Sequence, residues 1–116
     1  MTVRLIATDL DGTLLRSDGT VSPRTLGAVD AAESAGIGLV IVTGRPPRWI
    51  PPIVEQLGDR GLVVCANGGI VYDPARHEII ERNDMPGEAA AEVVRRLRSE
   101  IPELVFGCEQ GMDFAV

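Results

Sequence analysis

Three short, largely apolar runs, residues 3–8, 37–42 and 62–66, stop abruptly at polar residues and glycine: Asp9-Leu10-Asp11-Gly12, Thr43-Gly44-Arg45 and Asn67-Gly68-Gly69. Runs of that length, rich in Val, Ile and Leu and closed by turn residues, read as buried strands. Between the first two, Ser22-Pro23 predicts a helix start, with Ser22 as N-cap and Pro23 at the first helical position. That helix runs to about Ala35, with Leu26, Val29 and Ala32 on one face, and Gly36 stops it. Asp18-Gly19 is a hairpin-type turn, which makes residues 14–21 a small flap beside the first strand end. A second helix runs to about Leu57, with Gly58 as its stop. Pro51 and Pro52 leave its start open, either near Pro51 or after a separate short turn over residues 48–50. Trp49, just past the second strand end, is expected to pack this helix on the sheet in preference to contacting a substrate. A hairpin follows over residues 70–72 and 78–81, turning through Asp73-Pro74, with His77 as a solvated loop residue.

The pattern shifts at about Asn83. Residues 87–99 predict a helix with Ala90, Val93, Val94 and Leu97 along one side and Arg95, Arg96 and Arg98 on a solvated face near its C-terminus, where positive charge is favoured. Residues 104–106 and 114–116 are expected strands of a second unit, 83–116, beside a core unit, 1–82. The chain stops in mid-strand, which reads as a truncation. Alternation of strands and helices predicts an α/β fold, a doubly wound, Rossmann-like parallel sheet. Composition supports it: 45% of residues are hydrophobic but only 3% aromatic, so the core is aliphatic, as buried parallel sheets are. A net charge of −6 argues against a nucleic-acid surface. Cys65 lies in an apolar run as a small buried residue, and Cys65 and Cys108 lack metal-type spacing. No signal peptide and no membrane-length apolar run stand out, so the expectation is a soluble cytoplasmic protein without membrane contact.

The candidate chemistry sits at the strand ends. Asp9 and Asp11 flank Leu10, which points back to the core while the acids face the loop. Two close carboxylates are costly unless a cation or proton lies between them. They suit a metal, or a nucleophile beside a proton donor. The same tetrad serves equally as a strand and its turn. The other strand ends favour chemistry, because loops at the carboxyl ends of such strands converge on one edge. That edge then holds two carboxylates, the Thr43 hydroxyl and glycine-flanked amides suited to anions. Carboxylates beside an anion call for a divalent cation, and Mg²⁺ takes one or two carboxylates plus phosphate oxygens. Phosphate-ester chemistry is the reading these residues support.

The pentapeptide Asp9-Leu10-Asp11-Gly12-Thr13 after one strand and Thr43-Gly44-Arg45 after the next resemble the haloacid dehalogenase-like (HAD) hydrolase superfamily. Asn67-Gly68-Gly69 and the hairpin after it resemble its Cof-type branch of phosphatases for sugar phosphates and other small metabolites. The resemblance implies that Asp9 is the nucleophile, forming an aspartyl-phosphate, and that Asp11 is the acid/base. It implies that Thr43, with the amides of Asp11 and Gly44, binds the phosphoryl group. Mg²⁺ would be held by the Asp9 carboxylate and the Asp11 carbonyl, and residues 83–116 would begin an inserted α/β cap that selects substrate. Arg45 and Asn67 are expected either to orient substrate or to brace the loops. The pattern also requires a lysine and a later acidic pair. All 11 basic residues here are arginine, and the chain ends before that pair, so these 116 residues alone are expected to show little or no phosphatase activity. A phosphomutase or other phosphotransferase on the same fold stays open. So does a non-catalytic phospho-acceptor or regulatory domain, although Asn67 at the third strand end and the missing lysine speak against it. Substrate identity and oligomeric state are not readable.

Overall fold

The computed structural model describes residues 2–116. Strand β1 (Leu5–Asp9) pairs in parallel with β2 (Gly38–Val42), and β2 in parallel with β3 (Leu62–Cys65). β4 (Ile70–Asp73) and β5 (Glu78–Arg82) continue the sheet as the expected hairpin, antiparallel to their neighbours, in the order β1-β2-β3-β4-β5. The Rossmann-like α/β reading holds, as a mixed sheet. The crossover helices are α1 (Pro23–Ser34) and α2 (Pro51–Leu57).

Both helix boundaries follow from local chemistry. The Ser22 hydroxyl accepts the Thr25 amide at 3.0 Å, and Pro23 occupies the first turn, where its missing N–H costs nothing. At the far end Gly36 takes φ +75°, so that Gly36 N–H reaches the Glu33 carbonyl and Ile37 N–H the Ala32 carbonyl. That is the paired closure that favours glycine. After β2, both alternatives for the second helix occur in series: a 3₁₀ turn, Pro47–Trp49, and then α2. The Gln56 side chain of α2 accepts the Val21 amide at 2.9 Å and donates to the Gly19 carbonyl, pinning the flap.

Alternation along the strands sends Leu39, Ile41, Val63, Cys65, Ile70 and Tyr72 to one face, where they are buried with Val29 of α1 and Ile53 and Leu57 of α2. Leu10, Leu15 and Ile50 close this core. The other face, bearing Leu5, Ala7, Val40, Val42, Leu62 and Val64, carries no helix among the described residues. This corrects the expectation of a buried first strand. β1 is the sheet edge, with Leu5 56% and Ile6 38% exposed. Its apolar sequence fits a strand covered on both faces, and here one face has no cover.

Trp49 also departs from expectation. It is 54% exposed and packs no helix; fully buried Ile50 takes that place. α3 (Gly87–Glu100) forms as expected, yet none of its residues is buried. Residues 104–106 are not a strand. The Leu104 amide turns back to the Ile101 carbonyl, and the pairing falls instead between β6 (Cys108–Gln110) and β7 (Asp113–Ala115), about Gly111 at φ +69°.

Candidate active site

Fully buried Leu10 anchors the turn after β1, and the two acids project on either side of it. Asp9 caps the turn, its Oδ1 accepting the Leu10 amide at 2.7 Å. The chain then winds through one wide turn, Leu10–Leu14, in which Asp11 is extended and Gly12 takes φ 74°. A side chain at Gly12 would be strained in that left-handed conformation. The turn separates the acids. Asp9 lines an open pocket of about 360 Å³ with Val42, Thr43, Gly44 and Asn67, whereas the Asp11 carboxylate is gripped by Arg45.

Thr43 is the buried polar residue of the site. Its Oγ1 accepts the Arg45 amide at 3.1 Å, which leaves the hydroxyl hydrogen to donate elsewhere. Its own amide and carbonyl are bonded to Val64 and Asn67, so the loop after β2 is tied to the end of β3. Asn67 sits at φ 54° behind Ala66 at φ 49°, a left-handed pair that turns the chain sharply out of β3. That turn brings the Asn67 amide against Gly44, where a Cβ would lie 3.0 Å from Asn67 Oδ1. A side chain at 44 would make the Asn67 amide shift by a few tenths of an ångström.

Arg45 forms a bidentate pair with Asp11, Nε to Oδ2 at 2.8 Å and Nη2 to Oδ1 at 2.6 Å. The guanidinium, first through these hydrogen bonds, holds the Asp11 carboxyl below the usual carboxylate range. Asp11 is therefore ionised and turned to its partner. Arg45 is thus turned to Asp11, while Asn67 lies against Gly44 at the pocket wall. Asp9, Thr43, Gly44 and Asn67 share one pocket; Asp11 and Arg45 form an ion pair beside it.

Among the described residues, no group of three or more His, Cys, Asp or Glu side chains converges on a metal position. The donor set nevertheless suits Mg²⁺, which takes one or two carboxylates and completes its shell with water and phosphate oxygens. Among the described residues the second Asp9 oxygen makes no hydrogen bond, and Asp9 faces the pocket, so hard oxygen donors are available.

The family model for haloacid dehalogenase-like hydrolases matches residues 6–112. The chain belongs to this family. Relatives of this HAD chain include the pyridoxal phosphate phosphatase YbhA of Escherichia coli, 38% identical over 97 residues, covering 84% of this chain and 36% of that protein. The HMP-PP phosphatase of Serratia proteamaculans is 37% identical over 91 residues, covering 78% of this chain and 33% of the relative. Among solved structures, a HAD-like hydrolase from B. subtilis superposes with a TM-score of 0.72 at 36% identity, over 84% of this chain and 34% of that one. This HAD chain thus spans about a third of the length of the relatives it matches. None of its described helices is long and apolar enough to cross a membrane.

The sequence offered no sign of one cluster. Arg48, just past the site loop, pairs with Glu109 of β6, a residue 61 positions further along the HAD chain. Nothing in the local pattern of either residue marks it.

Proposed function

We propose that this chain contributes the nucleophile and phosphate-binding part of a phosphoric monoester hydrolase for a small phosphorylated metabolite. Residues 83–116 would open the cap that selects substrate. The supporting observation is the convergence of Asp9, the Thr43 hydroxyl and the Gly44 backbone on one pocket, with Asp11 beside it. The relatives named for pyridoxal phosphate and HMP-PP support a small phosphorylated substrate.

In this reading an Asp9 carboxylate oxygen attacks phosphorus. The P–O bond to the leaving group breaks as the aspartyl-phosphate forms, and Asp11 protonates the departing oxygen. Asp11 then takes a proton from water, which attacks phosphorus and frees Asp9 and inorganic phosphate. Splitting one displacement into two is the advantage of a covalent route. Thr43 donates its free hydroxyl hydrogen to a phosphoryl oxygen, and the amides of Asp11 and Gly44 add to the anion site. Asp11 acts as the acid only once Arg45 releases it and it takes up a proton from solvent, because a paired, ionised carboxylate has none to give. The Asp9 carboxylate and the Asp11 carbonyl would hold Mg²⁺, which when bound offsets the charge of an anionic nucleophile meeting an anionic phosphate.

Calorimetric titration with orthovanadate, with and without Mg²⁺, tests this. Binding is expected to require Mg²⁺ and to weaken about tenfold in Thr43→Val, the loss of one charge-assisted hydrogen bond. Asp9→Asn should remove the Mg²⁺ requirement. Binding indifferent to both substitutions would refute the assignment. Phosphate release by this chain alone is expected at blank level, and release above blank that Asp9→Asn abolishes would show the site to be complete without a lysine.

A further inference from the structure

We infer that Arg48 is a positioning residue, a clasp that sets the β6–β7 hairpin beside the loop carrying Thr43, Gly44 and Arg45. Both terminal nitrogens of Arg48 meet the Glu109 carboxylate, Nη1 to Oε2 and Nη2 to Oε1, the latter at 3.1 Å. Its guanidinium carbon also lies 5.4 Å from the Trp49 ring centre and 5.2 Å from that of Phe114 on β7. One side chain thus joins a carboxylate and a ring of the hairpin to the exposed Trp49 ring beside the site loop. Arginine alone suits this, with a planar fork for the carboxylate and a flat face for the rings.

The core end of the clasp is rigid. Arg45 and Arg48 are separated by Pro46 and Pro47, both buried, whose rings fix the backbone. The Arg45 carbonyl accepts the Ala66 amide at 2.9 Å, and the amides of Trp49 and Ile50 return to Pro46 and Pro47 at 3.0 Å. Fully buried Ile50 anchors the segment. Two arginines on this short bar therefore hold two carboxylates, Arg45 that of Asp11 and Arg48 that of Glu109.

The hairpin needs such a hold. Its strands have three residues each, and a lone two-stranded ribbon is marginal in water. Phe114 rests on Gly107, where any Cβ would collide with its ring, and the Gly111 turn faces Ile79 and Arg82 of β5. Those contacts orient the hairpin, and Arg48 ties it to the site loop. The inference concerns placement only and stands whether or not the site hydrolyses phosphate esters.

Hydrogen exchange of the β6 and β7 amides and acrylamide quenching of Trp49, the only tryptophan, test it in the whole chain. Arg48→Ala should lower hairpin protection about tenfold while β2 and β3 amides stay unchanged, a local opening. The accessibility of Trp49 should rise with it. The exchanged pair Arg48→Glu with Glu109→Arg restores the ion pair without the stacking and should recover part of the protection, and Phe114→Leu should lose part of it. Wild-type protection in Arg48→Ala, an equal loss throughout the sheet, or no recovery in the exchanged pair would each overturn the inference.

Discussion

Replacing Arg45 by alanine removes the fork that holds Asp11 and leaves the fold otherwise intact. The two side chains are 28% and 55% exposed, so solvent screens the pair even though it is bidentate. Exposed pairs contribute about 0.2–1 kcal/mol, and the loss in stability at neutral pH should fall in that range. The effect on ionisation is more telling. Hydrogen bonding to Arg45, opposed by slight burial and aided by its charge, keeps the Asp11 carboxyl below its ordinary value of 3.8. In Arg45→Ala it should rise toward that value. Because the folded-state value is depressed, the pair stabilises the fold above the ordinary value, and the contribution is lost as pH falls through the lower folded-state one. The stability difference between wild type and variant should therefore be present at pH 7 and vanish at the acid end. Carboxyl ¹³C titration of Asp11 reads the ionisation directly, and urea unfolding at several pH values reads the linkage. Arg45→Lys, with charge but no fork, should lie between. If Asp11 titrates alike with Arg or Ala at position 45, the pairing does not exist in solution.

Leu10→Ala should destabilise by roughly 2–5 kcal/mol in urea unfolding, since Leu10 is fully buried and the core cannot close over the space; a loss below about 1 kcal/mol would contradict its role as anchor of the acid turn. Gly61→Ala should cost roughly 2–4 kcal/mol, adding backbone strain at φ +70° to a collision with the Leu39 carbonyl. Gly58→Ala, at φ +80° and ψ 172° but facing only the flexible Arg60 side chain, should cost roughly 1–3 kcal/mol through backbone strain, and equal losses at both positions would show that strain alone operates. Burial pushes the Cys65 thiol up to about 11, whereas Cys108 is exposed. A thiol reagent at pH 8 should modify Cys108 at once and Cys65 only on unfolding; rapid modification of both would place Cys65 outside the core.

Much of the architecture could be read from local chemistry. Ser22, Pro23 and Gly36 bound α1 because capping is settled within a few residues, and apolar runs ending at Asp9, Thr43 and Asn67 mark the strand ends for the same reason. Misreadings arose where distant packing outweighs local preference. Trp49 has the composition of a core residue, yet its neighbour Ile50 points inward and Trp49 is left to Arg48. Residues 104–106 have strand composition, but the Gly111 turn sets which residues pair, and it selects Cys108–Gln110.

The sequence by itself determined the chemical inventory: two acids about a buried leucine, a hydroxyl and glycines at the next strand end, and arginine as its sole strong base. Those follow from residue identity and short-range spacing, which survive any change in packing. Only the tertiary structure decided who meets whom. It turned Asp11 from Asp9 toward Arg45, closed Asn67 on Gly44, placed β1 at an edge and brought Glu109 to Arg48. Contacts between residues 34 or 61 positions apart depend on strand order and crossover path, and no local pattern encodes them.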